Sequence, residues 1–66
     1  MSHFVIEYLY DGRYMMETLM SVEDVDLSDK RFEKLMGLWQ CETTEEVNTL
    51  HKHLWEMRNE RLSKLP

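Results

Sequence analysis

Residues 28–39 read SDKRFEKLMGLW, and the way they fold sets the architecture of the whole chain. Phe32, Leu35, Met36 and Trp39 recur at i, i+3, i+4 and i+7, the spacing that gathers side chains on one face of a 3.6-residue helix. Just upstream, Asp26 and Ser28 are residue types that accept the first free amides of a helix. The spacing predicts a helix over 28–39. Gly37 lies inside it, and there costs about 1 kcal/mol relative to Ala.

Downstream, Thr43 followed by Glu46 makes a capping box, with Glu45 also placed at the positive end of a helix. From 44 to 63 the pattern reads as one long helix, with Val47, Leu50, Leu54, Met57 and Leu65 in a single apolar stripe. Some twenty residues at 1.5 Å give roughly 30 Å of helix, against roughly 26 Å for an eight-residue strand. The last turns are therefore expected to overhang, presenting Arg58, Arg61, Leu62 and Leu65 to another chain. Arg is among the residue types enriched at binding hot spots.

Upstream, residues 3–10 (HFVIEYLY) and 13–20 (RYMMETLM) are rich in β-branched and aromatic types and read as two strands around Asp11-Gly12. Asp-Gly suits a two-residue type I′ turn pairing Tyr10 with Arg13, but that register sets Glu17 opposite Ile6 among apolar side chains. A three-residue loop with Gly12 as a bulge instead pairs Leu9 with Arg13 and Tyr8 with Tyr14. It gathers Phe4, Ile6, Tyr8, Tyr14, Met16 and Met20 on one face, and separates apolar from charged side chains better. It is the expected register. Val5, Glu7, Leu9, Met15 and Glu17 then lie on an outer face, where their apolar members form a contiguous strip available to a partner.

The expected fold is α+β in the order ββαα: an N-terminal antiparallel hairpin packed on two helices, the C-terminal one long. The units are a hairpin over 3–20, an acidic turn over 21–28, and helices over 28–39 and 44–63, in a single domain 1–66. A two-stranded sheet is marginal alone and needs either those helices or a third strand from a second chain.

Composition excludes several chemistries. Of a net charge of −5, all sits in residues 1–30, which hold seven acids and two bases, while residues 31–66 hold six of each. Phosphate binding rests on Lys and Arg, so direct nucleic-acid binding is not expected and basic protein partners are. Glu23, Asp24, Asp26 and Asp29 make an acidic patch. The run DVDLSD begins like a calcium loop but has Asp29 where that loop needs Gly, and Leu35 where it needs a bidentate Glu. His51 and His53 point in nearly opposite directions on a helix, and Cys41 is the only cysteine, so neither a zinc site nor an intrachain disulfide is expected. The two glycines are far apart and form no phosphate loop. A chain this small has little room for a pocket of the usual ~300–1,000 Å³. No enzyme activity, cofactor or metal is expected. Nor is a membrane span or a signal peptide, and the lone cysteine fits a reducing cytoplasm.

In size, acidity and lack of catalytic motifs the chain resembles, loosely, the small inhibitors that bacteriophages encode against host enzymes and defence systems, including anti-CRISPR proteins. The resemblance is one of style, and no residue carries over from it. It implies a protein that acts in the host cytoplasm by binding a larger protein with a basic or nucleic-acid-binding surface, with the acids standing in for phosphates. The alternative is an obligate homo-oligomer, in which the outer hairpin face or a strand edge meets a second copy.

Overall fold

A computed structural model describes residues 2–24 and 28–64. Three strands, β1 (His3–Tyr10), β2 (Arg13–Leu19) and β3 (Phe32–Cys41), precede two helices, α1 (Thr44–Glu56) and α2 (Arg58–Ser63). The strands form one antiparallel sheet in the order β2-β1-β3. The class is α+β with an N-terminal hairpin and two helices, but the elements differ from the sequence reading in three places.

The first concerns residues 28–39. They do not make a helix; Phe32–Cys41 is the third strand. Opposite β1, Gly37 faces Glu7 and Leu35 faces Tyr8, leaving Met36 unmatched; Lys34 faces Leu9 and Phe32 faces Tyr10, leaving Glu33 unmatched. Two extra residues in so short a stretch break the two-residue alternation of a strand. Phe32, Leu35 and Leu38, opposite Tyr10, Tyr8 and Ile6, thereby share a face at a period of three. The first bulge thus supplies the three-residue step from Phe32 to Leu35 that imitates a helix, whereas Trp39, opposite Val5, packs on the helix-covered face.

The second is the hairpin register. Asp11 (φ 52°) and Gly12 (φ 77°) are both left-handed, the signature of a type I′ turn, and Tyr10 pairs with Arg13 and Ile6 with Glu17. The turn is tied to the start of β3, since Asp11 N–H donates to the Arg31 carbonyl (2.7 Å) and Gly12 N–H to the Glu33 carboxylate. With β1 in the middle of the sheet, both its edges are paired, and Val5, Ile6, Glu7 and Tyr8 are buried in succession. The helices cover the odd-numbered face of β1, not the even-numbered one. There Val5, Cys41, Val47 and Leu54 form the core, with Met16, Trp39 and Leu50 packed around them. Met20, expected inside, is exposed.

The third is the long helix. Thr43 caps α1 as expected, its hydroxyl accepting from Glu46 N–H (3.1 Å). The helix then breaks at Met57 (φ −95°, ψ 4°). The Arg58 guanidinium donates to the Trp55 carbonyl (2.7 Å), taking an acceptor that Asn59 N–H needs in a continuous helix. The overhang is therefore not formed, and α2 turns back over the sheet. Leu65 lies outside the described residues, as does Asp26.

Candidate functional site

Two features of the molecule bring chemically capable side chains together, one on each face of the sheet. Under the helices, Glu7 sits at 0% exposure in the central strand. Arg61 of α2 reaches it with two bonds, Nε to Oε2 (2.6 Å) and Nη2 to Oε1 (2.5 Å), the fork-to-fork geometry of strong carboxylate pairing. Tyr14 O–H also donates to Glu7. The guanidinium lies 5.6 Å from the Trp39 ring centre, and the Trp39 ring in turn lies across Gly37, the residue opposite Glu7. Burial, and then the bond to Glu7, push the Tyr14 phenol above its ordinary range. The carboxylate has no exposed surface, and the cluster clamps α2 onto the sheet.

On the opposite face, neither α1 nor α2 covers the sheet. Tyr8, Tyr10, Met15, Glu17, Asp24, Asp29 and Phe32 line a cavity of about 320 Å³. That is at the lower end of the range for ligand pockets, in a chain whose length suggests none. Its aromatic wall is built by the sheet. Tyr8 and Phe32, from neighbouring strands, stack at 5.4 Å and 19°, and Tyr10 meets Tyr8 edge-on at 6.4 Å. Its acidic rim comes from two sources. Glu17 projects from the edge strand β2, and Asp24 and Asp29 come from the connection between β2 and β3. Asp29 accepts from Tyr10 O–H (2.9 Å) and Arg31 N–H (2.9 Å). The Arg31 amide first, and then the Tyr10 hydroxyl, hold its carboxyl below the usual range. Burial, with Glu17 alongside, pushes the Tyr8 phenol up to about 12. Arg31 stands at its margin, paired with Asp29 (3.4 Å) and with its guanidinium 5.1 Å from the Tyr10 ring centre; among the described residues no basic side chain lines the cavity itself. A wider hollow of about 660 Å³ runs along α1 from Thr43 to His53, but Leu50 is its single apolar lining residue and it has no aromatic wall.

The residues singled out in the sequence divide between these faces. Val5 and Glu7 are fully buried under the helices, and Leu9 shares their face half-buried, so the outer strip expected of them does not exist. Met15 and Glu17 lie on the opposite face, in the cavity. Glu23 and Asp24 stand exposed in a single 3-10 turn, Val22–Asp24. Arg58 folds over Trp55, its guanidinium 4.0 Å from the ring centre, and Arg61 is taken up by Glu7. Both arginines are engaged within the chain rather than presented beyond it. Tyr8, Tyr10, Phe32, Tyr14 and Trp39 were not among the candidates. The available signal was Glu7 itself, a carboxylate inside the apolar run FVIEYLY, which calls for a buried cation elsewhere in the chain.

Among the described residues, no group of three or more His, Cys, Asp or Glu is placed to hold a metal ion, and no helix is long and apolar enough to cross a membrane. No protein-family model, curated protein or solved structure matches this chain.

Proposed function

We propose that this chain is a non-enzymatic binding protein that inhibits or regulates a larger protein by engaging a basic side chain of it on the open face of the sheet. The observation that carries the reading is the cavity, in which the stacked rings of Tyr8 and Phe32 stand beside Glu17 and Asp24, while Arg31 pairs with Asp29 and lies over Tyr10 at its margin, as an example of the cation such a site takes. Aromatic faces attract a Lys or Arg head, and carboxylates at the rim supply the opposite charge. The acid excess of residues 1–30 extends that field beyond the cavity. A host enzyme that binds nucleic acid has a basic surface of the kind required, in keeping with the resemblance to phage-encoded inhibitors.

The test is a titration with an Arg- and Lys-rich peptide, followed by NMR on the ring resonances of Tyr8 and Phe32. Both rings shift on binding, the affinity falls as salt is raised from about 0.05 M to 0.5 M, and the Glu17→Gln, Asp24→Asn double variant loses the response. Unmoved rings, or equal binding by the double variant, overturn the reading.

A further inference from the structure

The two edges of the sheet are not equivalent. Along β3 the bulges at Met36 and Glu33 break the register, a device that keeps edges from accepting another strand. β2 has no such protection: it runs from Arg13 to Leu19 in unbroken pairing and contains no proline, glycine or lysine. A two-residue turn closes on a hydrogen-bonded pair, so Arg13, Met15 and Glu17 direct their backbone groups at β1. The bond from Asp11 N–H toward β3, on the other side of β1, agrees with this phase. Tyr14, Met16 and Thr18 therefore turn their N–H and C=O groups away from the sheet, and among the described residues no hydrogen bond reaches them.

We infer that this edge is a dimerisation surface, and that its occupant is β2 of a second copy, paired antiparallel about a two-fold axis at Met15. The sequence of the strand selects that register. With Met15 opposite its own copy, Tyr14 faces Met16 of the second chain, and these are residues whose backbone groups are free to bond. Arg13 faces Glu17 in the closer, non-hydrogen-bonded pairs, and symmetry makes this opposite-charge pair twice. Shifting the axis to Met16 sets Arg13 against Leu19 and Met15 against Glu17, and both ion pairs are lost. Trp55, 52% exposed, sits beside this edge at 6.5 Å from the Tyr14 ring, and adds aromatic surface next to the Met16 of the other chain. The product is a six-stranded antiparallel sheet, closed by two-fold symmetry. The inference uses the strand edge and does not rest on the cavity.

Sedimentation equilibrium tests it. The wild-type chain is expected to dimerise at micromolar concentration. Glu17→Arg sets cations opposite each other and weakens the dimer by about tenfold or more, as does Arg13→Glu. The double variant Arg13→Glu, Glu17→Arg restores it to within about threefold, because the pairs are re-formed with their signs exchanged. Met16→Pro removes an outward amide without touching the bonds to β1, at the cost of a side chain at the margin of the core, and yields a less stable monomer that keeps its far-UV spectrum. It alters no cavity residue, so a monomeric Met16→Pro chain that still binds the basic peptide separates this inference from the proposed function. A wild-type monomer at millimolar concentration overturns the inference. So does a double variant no better than its parents, a readout that stands even where Met16→Pro fails to fold.

Discussion

At Glu7 a carboxylate with no solvent access is neutralised by a side chain from the other end of the chain, and the two partners are not interchangeable. Arg61 is 30% exposed and can withdraw its charge to water if Glu7 is lost, whereas Glu7 has no such exit. Arg61→Met is therefore expected to cost about 3–5 kcal/mol, since it leaves a buried charge uncompensated. At ~0.05–0.15 kcal/mol per residue the whole fold of 66 residues is worth roughly 3–10 kcal/mol, so this one change brings it to the edge of unfolding. The double variant Glu7→Leu, Arg61→Met removes the charge with its partner and should lie within about 1 kcal/mol of wild type. Urea midpoints of the three proteins decide the matter. A double variant as weak as Arg61→Met shows that α2 is held by something other than charge neutralisation.

Among the elements, β3 explains where the sequence misleads. The hairpin strands, the Asp-Gly turn, the Thr43 cap and the Val47–Leu50–Leu54 stripe were all legible, because each is written in neighbouring residues. β3 was not, because its two bulges can be recognised only against β1. The hairpin register escaped for a similar reason: apolar segregation argued against Glu17 opposite Ile6 and left the face of Val5 and Glu7 outside, and the cation that lets that face be buried lies 54 residues on. The cavity was half legible, with Met15, Glu17, Asp24 and Asp29 named but its aromatic wall missed, since Phe32 was assigned to a helix. Gly37 has a specific task in this strand. A Cβ there meets three atoms of the Trp39 ring at 2.3, 2.7 and 2.9 Å, so glycine is what lets the indole lie flat beneath Arg61. Gly37→Ala should displace that ring and cost about 1–3 kcal/mol as an overpacked site. The change is expected in the near-ultraviolet dichroism as well as in the urea midpoint, and an unaltered spectrum argues that the ring has room to spare.

At the scale of the molecule, stability should respond to alkali. Folding raises the Tyr8 phenol from 10.0 to about 12, so the folded state holds its proton more tightly than the unfolded chain does. Stability from this group is fully present below pH 10 and is lost as pH rises through about 12. Tyr14 is shifted in the same direction and adds to the loss. Denaturation midpoints are expected to be level up to about pH 10 and to fall above it, with a late phenolate absorbance step that Tyr8→Phe reduces and Tyr14 continues to supply. A midpoint that declines well before that range implicates a different group.

The central position of β1 also bears on how the chain is made. β1 is made before the strands and helices it packs against, yet of its neighbours only β2 follows at once. Its second edge waits for Phe32–Cys41, and its carboxylate waits for Arg61. At about 5–20 residues per second, the 54-residue interval between Glu7 and Arg61 lasts roughly 3–10 s. For that time the acid in the middle of β1 has no counter-charge, and until Cys41 is made the strand also has an unmatched edge. The central strand is therefore matched in two steps, first by β3 and only later, through Arg61, by a counter-charge for Glu7.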